Sequence, residues 1–496
     1  MAAADKPARE PRLDVLDSRR AGGIFLRGSS MRMLAYLGAV AASIAATPLL
    51  TRHLHKESYG RYVTVTSLLL IVTALSEGGL ANLGVREWST GAEGERRTFM
   101  RSLIGLRIAL SVCGGVAATL FTVLAGYPTV VIEGTVIASV GLVFATLQGT
   151  LALPLSTGLR FGWLALLDFV GPATTALGLV VLVLAGATLL PFFAAAVLAF
   201  AVTLTITVIL VRNQITLRPA FEPRRWRFLL SQSFVFAAAT ALGAVYFQIV
   251  VVAMSLLTNA GAVGIFSLAF RILSVVNGIP LLVVGSAFPI LLRAARDDRA
   301  RLRYALQRLL EGELLIGGWL SLLIVAGAPF AVRVMGGSGY AGSGTVLRIL
   351  GPGVIATFLS GVFLFALLAV RMYRPLIAIN AGMIVLAAAM CAVLIPAHGA
   401  QGAAIVTLSL EVVLASSYAT ALFVSHPELR PSLGLVGRIT LALAIAFAVA
   451  LAAPLPSLPA AAAGTAALAV AILALRALPR ELLDVLRQTT DASGAQ

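Results

Sequence analysis

The sequence contains little charge and little cysteine for its length. Only 12% of its 496 residues are charged, against about 25% in an ordinary soluble domain, whereas 59% are hydrophobic. The two cysteines, Cys113 and Cys391, each lie inside an apolar run, which argues against a disulfide framework or a metal site. Basic residues are not interleaved with aromatic ones, so the net charge of +16 does not indicate a nucleic-acid partner. We expect no metal and no cofactor.

Apolar residues occur in runs of about twenty, the length that a helix needs to cross a hydrocarbon core of about 30 Å. Backbone amides cannot remain unpaired in lipid, so we expect these runs to be helices. The sequence therefore predicts an all-α polytopic membrane protein with about fourteen transmembrane helices and no substantial soluble domain. The predicted spans are residues 30–51, 61–82, 103–126, 130–154, 162–186, 188–211, 229–254, 264–291, 307–328, 346–370, 375–396, 401–424, 438–454 and 460–477.

The distribution of Lys and Arg predicts the orientation. With the N-terminus inside, 30 of the 37 basic residues fall in cytoplasmic segments and 5 in outer loops. This bias follows the positive-inside rule, so we expect both termini in the cytoplasm and a multi-pass protein of the cytoplasmic (inner) membrane. Residues 1–28 are polar and basic and the first apolar run is a full span, so no cleavable signal peptide is expected.

A weak internal repeat has a spacing of 204 residues. The segment ESYGRYVTVTSLL, which contains Gly60, parallels GAVGIFSLAFRIL, which contains Gly264. Each segment opens the second helix of its half, and both helices are predicted to run from outside to inside. The repeat is therefore parallel, with its axis along the membrane normal.

Several strings resemble one transporter family. The eighth predicted helix, VGIFSLAFRILSVVNGIPLLVVGSAFPILL, is similar to the signature of Wzx-type polysaccharide flippases, which belong to the multidrug/oligosaccharidyl-lipid/polysaccharide exporter superfamily. PLLTRHLHKESYGRYV resembles the first outer loop and second helix of the family, and LSEGGLANLGVRE the inner end of that helix. GYAGSGTVLRILGPG resembles the opening of helix ten, and LIPAHGAQGAAIVTLSLEVV the join of helices eleven and twelve. The resemblance covers nearly the whole chain.

The resemblance implies two six-helix bundles that face each other around a central cavity, with two extra helices at the C-terminus. That fold agrees with the predicted spans and the parallel repeat. The expected divisions are a cytoplasmic tail at 1–28, bundles at 29–212 and 229–425 joined by a cytoplasmic linker at 213–228, additional helices within 438–478, and a cytoplasmic tail at 479–496.

The function implied by the resemblance is transport rather than enzymatic catalysis. The protein would be a flippase that moves a polyprenyl-pyrophosphate-linked oligosaccharide from the inner to the outer leaflet by alternating access, for cell-surface polysaccharide synthesis and exopolysaccharide export. Expected partners are this lipid-linked oligosaccharide, membrane lipids, and a polysaccharide polymerase with glycosyltransferases. The sequence contains no Walker loop, so the chain is not expected to hydrolyse ATP.

Three alternatives remain open. An ion-coupled multidrug extruder of the same superfamily typically has twelve spans, so helices thirteen and fourteen argue against it. A membrane glycosyltransferase usually needs large outer loops, and the longest predicted one is only about residues 329–345. A non-transporting scaffold for envelope enzymes is the third alternative, and only a measurement of transport activity distinguishes it from a flippase.

Two carboxylates inside predicted spans are candidates for ion coupling, because a charge at membrane depth needs a cavity or a partner. Glu411 lies ten residues into helix twelve, roughly 15 Å deep at 1.5 Å per residue, and Asp168 lies about 10 Å deep in helix five. Glu411 also matches the glutamate that the family often carries in this helix. The alternative for both residues is a structural hydrogen bond between helices.

Two arginines inside spans are candidates for the cavity. Arg271 on helix eight could bind a phosphate with two parallel hydrogen bonds, which suits a lipid-pyrophosphate headgroup. Arg107 on helix three is shallower. Arginine can also extend its head to the membrane interface, so an anchoring role is the alternative for both.

Deep polar residues and helix breakers complete the candidates. Amide side chains at span depth either join helices or bind sugar hydroxyls, and the candidates for sugar binding are Gln248, Asn277 and Asn380. A glycine and two prolines interrupt helix eight and are candidates for a hinge, namely Gly278, Pro280 and Pro289.

Overall fold

A computed structural model of the chain describes residues 21–477, except residues 78, 91–92, 159 and 453–454. The described residues are helical and contain no strand. In chain order the helices are α1 (Ala21–Glu77), α2 (Leu80–Thr90), α3 (Glu93–Leu124), α4 (Thr129–Leu151), α5 (Leu153–Thr157), α6 (Phe161–Leu184), α7 (Leu189–Val211), α8 (Pro223–Leu257), α9 (Ala260–Val276), α10 (Gly278–Asp297), α11 (Arg299–Gly336), α12 (Gly342–Leu350), α13 (Gly353–Ala369), α14 (Tyr373–Ser425), α15 (Leu433–Ala452) and α16 (Ser457–Ala474).

Eleven helical segments among the described residues are long and apolar enough to cross a membrane. The prediction of an all-α polytopic membrane protein is therefore confirmed. Some of these segments are longer than one span needs, and the total of fourteen spans stays a prediction. The predicted tails at 1–28 and 479–496 lie mostly or wholly outside the described residues.

Helix α14 contains 53 residues, about 80 Å at 1.5 Å per residue, so it is too long for a single span. It breaks at Gly399, whose φ of 55° lies in the left-handed region that glycine adopts without a Cβ clash. Across this break Tyr418 Oη donates a hydrogen bond of 2.7 Å to Asn380 Oδ1. The two arms of α14 therefore lie side by side.

Helix α1 breaks in a similar way at His55, which has a φ of 54°. The sequence predicts an outer loop between the spans at 30–51 and 61–82, but nearly all of that loop is helical. The first arm continues to the break and the second arm starts directly after it. We call these the first arm (21–54) and the second arm (56–77) of α1.

Contacts between helices position the two halves of the chain. Both α8 and α9 pack against α1, while α6 packs against α1 from within the N-terminal half. The helices α15 and α16 pack against each other and against α11. One large buried apolar cluster runs through both halves, and a separate one joins α11 to α15 and α16. The two additional C-terminal helices are thus attached to the second half.

Two predicted boundaries differ from the structure. The eighth predicted helix is divided into α9 and α10 at Asn277, directly before Gly278. Helix α8 begins at Pro223, inside the segment predicted as the linker 213–228, because proline is compatible with the first helical position and lacks only an N–H that would be unpaired there.

Candidate functional site

A cavity of about 690 Å³ lies between the N-terminal helices and the helices α8 and α9. It runs along the second arm of α1 from Tyr59 to Leu70, which is eleven positions or about 16 Å. Its size falls within the range of about 300–1,000 Å³ that is usual for small-molecule sites. A cavity between the two halves of the chain can therefore hold the polar part of a ligand.

The described lining combines a cation, a carboxylate, amides, hydroxyls and aromatic rings. Its polar and aromatic members are Ser43, Thr47, Tyr59, Tyr62, Thr66, Ser67, Gln148, Asp168, Thr175, Phe200, Thr203, Gln248, Ser267, Phe270, Arg271 and Ser274. Three of the predicted site residues, Arg271, Asp168 and Gln248, are thus brought together around one space.

Arg271 extends from α9 into this cavity and donates a hydrogen bond through Nη2 to Ser43 Oγ on the first arm of α1. Among the described residues no carboxylate forms an ion pair with it, so its charge is not neutralised by the protein there. Arg271 thus lines the cavity, and its predicted role in substrate binding stays a prediction.

Asp168 on α6 forms an ion pair with Arg32, whose Nε lies 2.7 Å from Oδ2. The two side chains are 38% and 43% exposed, so the pair is only partly enclosed by the protein. Arg32 does neutralise Asp168 locally. The sequence did not mark this pair, because Arg32 lies at the start of the first predicted span whereas Asp168 lies about 10 Å into the fifth.

Glu411 on α14 lies outside the large cavity and is 7% exposed. Tyr246 Oη on α8 donates to Glu411 Oε1 at 3.1 Å, and Thr357 Oγ1 on α13 lies 2.9 Å from Oε2. A small adjoining space contains Glu411, and Phe270 lines both this space and the large cavity. Glu411 therefore connects three helices of the C-terminal half next to the cavity wall.

The sequence did not predict Tyr246 and Thr357 as partners of Glu411. Nothing local marks either residue, because a tyrosine and a threonine on separate helices become neighbours only through tertiary packing.

Three other predicted site residues lie outside the cavity. Arg107 is 3% exposed and donates from Nη1 to the backbone oxygen of Ser76 at 3.3 Å, so it joins α3 to the second arm of α1. Asn380 accepts the hydrogen bond from Tyr418 within α14. Asn277 lies at the junction of α9 and α10, and its Oδ1 is buried without a hydrogen-bond partner among the described residues. Their predicted role in substrate binding stays a prediction.

The predicted hinge residues cluster at that junction. Gly278 and Pro280 lie in the first turn of α10, where a proline is tolerated, whereas Pro289 lies inside the helix. The helix is thus interrupted where the sequence contains Asn277, Gly278 and Pro280. A moving hinge at this point stays a prediction.

A further buried carboxylate was not among the predicted site residues. Glu313 on α11 is 1% exposed, and neither of its oxygens has a hydrogen-bond partner among the described residues. No group of three or more potential metal ligands occurs in the part of the chain that the structure describes.

Comparison with known families decides the classification. A model for the family described as polysaccharide biosynthesis protein matches residues 25–295, which is more than half of the chain. The chain belongs to this family. The match includes both arms of α1 and helices α8 and α9. Helix α9 contributes Arg271 to the cavity. A comparison with curated proteins finds no match.

Solved structures show the fold of this family member. The chain is similar to the lipid II flippase MurJ in an inward closed conformation, with a TM-score of 0.75 and 13% identity, covering 91% of this chain and 99% of that one. It is also similar to an inward-facing multidrug resistance MATE transporter of the MOP superfamily, with a TM-score of 0.59 and 13% identity over 82% and 98% of the two chains. At these identities the likeness establishes the fold alone.

Proposed function

We propose that this family member is a flippase that moves a polyprenyl-pyrophosphate-linked oligosaccharide across the cytoplasmic membrane by alternating access, for cell-surface polysaccharide synthesis and export. The observation that supports this proposal is the cavity between the two halves, in which Arg271 lies among amides and hydroxyls. The two halves correspond to the bundles at 29–212 and 229–425, and both termini are cytoplasmic.

The chemistry of the lining suits such a headgroup. A guanidinium pairs with phosphate oxygens through parallel hydrogen bonds, and no carboxylate of the described residues forms an ion pair with Arg271 that would compete. Gln148, Gln248 and the threonine hydroxyls can exchange hydrogen bonds with sugar hydroxyls. Asp168 would repel a phosphate, but its charge is offset by Arg32. The cavity therefore favours an anionic, hydroxyl-rich ligand over a lipophilic cation.

The energy for directional transport is assigned to an ion gradient or to consumption of the product outside the membrane, because the sequence contains no nucleotide-binding motif. Glu411 is the first candidate for the carboxylate that takes up and releases the coupling ion, and Asp168 is the second. Glu411 is buried and hydrogen-bonded, and it has no ionic partner in the part of the chain that the structure describes, whereas Asp168 is already paired with Arg32. A polymerase and glycosyltransferases of the same pathway are the proposed partners.

The test is a flipping assay in vesicles that contain the purified protein and a fluorescent polyprenyl-pyrophosphate oligosaccharide. A reagent that quenches only the outer leaflet reports translocation. We expect flipping in these vesicles and none in protein-free vesicles, and Arg348→Ala, which removes an exposed arginine on α12 outside the cavity, should flip normally. Extrusion of a cationic dye without sugar flipping would support the multidrug extruder, formation of a glycosidic bond would support a transferase, and absence of all three would support a scaffold.

A further inference from the structure

The spacing of 204 residues in the sequence reappears in contacts between the two halves. A methyl group added at Gly60 would overlap the backbone oxygen of Ala260, and one added at Gly264 would overlap that of Lys56. Gly60 and Gly264 are 204 residues apart, and so are Lys56 and Ala260. The second arm of α1 and helix α9 therefore cross in a two-fold pseudosymmetric contact that requires glycine on both sides.

Two tyrosines extend this symmetry. Tyr340, in the turn after α11, donates to the backbone oxygen of Thr51 at 3.3 Å. Tyr127, in the turn after α3, shares a hydrogen bond of 2.6 Å with Ser255 Oγ. Thr51 and Ser255 are again 204 residues apart. In each case a turn of one half contacts the last residues of the first helix of the other half, which is the first arm of α1 or α8. Both contacts lie on the side of the molecule that is predicted to face outside.

One contact breaks the symmetry. Arg52 Nη2 donates to the backbone oxygens of Val334 at 2.8 Å and Arg333 at 3.3 Å. Thr51 Oγ1 lies within hydrogen-bond distance of the backbone oxygen of Met335, as well as those of Thr47 and Pro48 in its own helix. The oxygens contacted on α11 belong to its last turn, where a cation is favourable, and that of Arg333 also accepts a hydrogen bond from the backbone N–H of Gly337. The position equivalent to Arg52 in the second half is Leu256, which cannot form such bonds.

The large cavity ends directly below these contacts. Leu50 and Tyr59 line it, and the Tyr59 ring lies edge-on to Tyr340 with centroids 6.2 Å apart. Separating the two halves here would open the cavity at its predicted outer end. Arg52 is exposed, so water can replace its hydrogen bonds when the halves part, and no unpaired charge becomes buried.

We propose that Thr51 and Arg52 are positioning residues that form a one-sided latch on the C-terminus of α11, and that the Gly60–Gly264 crossing is the surface along which the halves separate. This inference rests on the alternating-access part of the proposed function. The latch holds the closed state of the predicted outer end, and its release lets a ligand leave the cavity there.

The test measures access to the cavity and needs no substrate. Cys113 and Cys391 are replaced by alanine and a reporter is introduced as Thr66→Cys, a half-buried position on the cavity wall. A membrane-impermeant thiol reagent is added on the side where Gly339→Cys, in the exposed turn after α11, is labelled. Arg52→Ala should accelerate reporter labelling roughly tenfold, since hydrogen bonds from a charged group are lost.

Thr51→Val provides a second variant, because it removes a hydroxyl and keeps the side-chain shape. It should accelerate labelling in the same direction, and Arg348→Ala should leave the rate unchanged. Each variant is checked for an unchanged melting temperature. If both folded latch variants label at the parent rate or more slowly, the latch is wrong, whatever the flipping assay shows. If they label faster but no sugar is flipped, the latch stands and the proposed substrate is wrong.

Discussion

Glu411 can be accommodated at its site in either protonation state. Thr357 Oγ1 lies 2.9 Å from Glu411 Oε2 and 3.1 Å from the backbone oxygen of Gly353, but a hydroxyl carries only one hydrogen. When the carboxylate is ionised, Thr357 donates to it. When the carboxyl is protonated, it donates to Thr357, which then donates to Gly353. A proton can therefore be gained or lost here without rearrangement of a helix.

The first prediction at this scale concerns Glu411→Gln. The glutamine amide can donate to Thr357 while its oxygen accepts from Tyr246, so the hydrogen bonds of the protonated state are kept. We expect a normally folded protein whose flipping is abolished or no longer responds to an imposed pH gradient. The measurement compares flipping in vesicles with and without that gradient. A variant that flips and responds as the parent does would make Glu411 a structural hydrogen bonder.

The second prediction concerns Arg271. Arg271→Ala should impair export of the surface glycan at normal protein levels, because it removes a cavity cation that no carboxylate among residues 21–477 with described positions neutralises. Arg271→Lys should rescue export only in part, since lysine keeps the charge and loses the two-pronged geometry. Glycan on the cell surface and protein in the membrane are both quantified. Full export by the alanine variant would show that the cavity does not need this cation.

At the scale of the element, the hairpin of α14 depends on a close approach as well as on the break at Gly399. A methyl group at Gly402 would overlap the backbone oxygen of Leu394 on the other arm, whereas one at Gly382 would meet no atom within 4 Å. The backbone oxygen cannot move aside as a flexible side chain could. The string HGAQG in the sequence thus contains both glycines that the turn requires.

This geometry predicts that a glycine-to-alanine substitution has opposite effects on stability at two positions of α14. Gly402→Ala should destabilise the protein by about 1–3 kcal/mol, because it overpacks the contact between the arms. Gly382→Ala should leave stability unchanged or raise it by up to about 1 kcal/mol, because alanine favours the helix. Melting temperatures of the two purified variants in detergent test this difference. Equal shifts in the two variants would mean that the arms do not approach closely at Gly402.

The sequence predicted the helices correctly from the length and hydropathy of the apolar runs, but it predicted the ends of the helices less accurately. Runs of about twenty apolar residues were correctly assigned to helices. The predicted outer loop before residue 61 is almost entirely helical, because polar residues such as those around His55 and Lys56 are compatible with a helix. The division of the eighth predicted helix into α9 and α10 at Asn277 was indicated only by the neighbouring glycine and proline.

At the scale of the whole molecule, the positive-inside bias predicts which end faces the cytoplasm. After replacement of both native cysteines, Gly339→Cys should react with an impermeant thiol reagent from outside and Ser432→Cys should not. Both positions are exposed, so burial does not account for a difference. Permeabilised cells provide the control in which both should react. Reversed labelling would overturn the orientation and place the latch at the cytoplasmic end.

The sequence by itself determined the class of the protein, its helical architecture and its likeness to one transporter family. These properties depend on composition, on the length of apolar runs and on local strings, all of which are visible along the chain. It also selected Arg271, Asp168 and Gln248, because polar groups at membrane depth need a cavity or a partner.

Only the tertiary structure decided which of these residues share a space. It placed Arg107, Asn277 and Asn380 away from the cavity and paired Asp168 with Arg32. It also turned the spacing of 204 residues into a physical contact between Gly60 and Gly264. The reason is that a residue's depth follows from its position in a helix, whereas the direction of its side chain and its partners depend on how each helix is rotated and packed against the others.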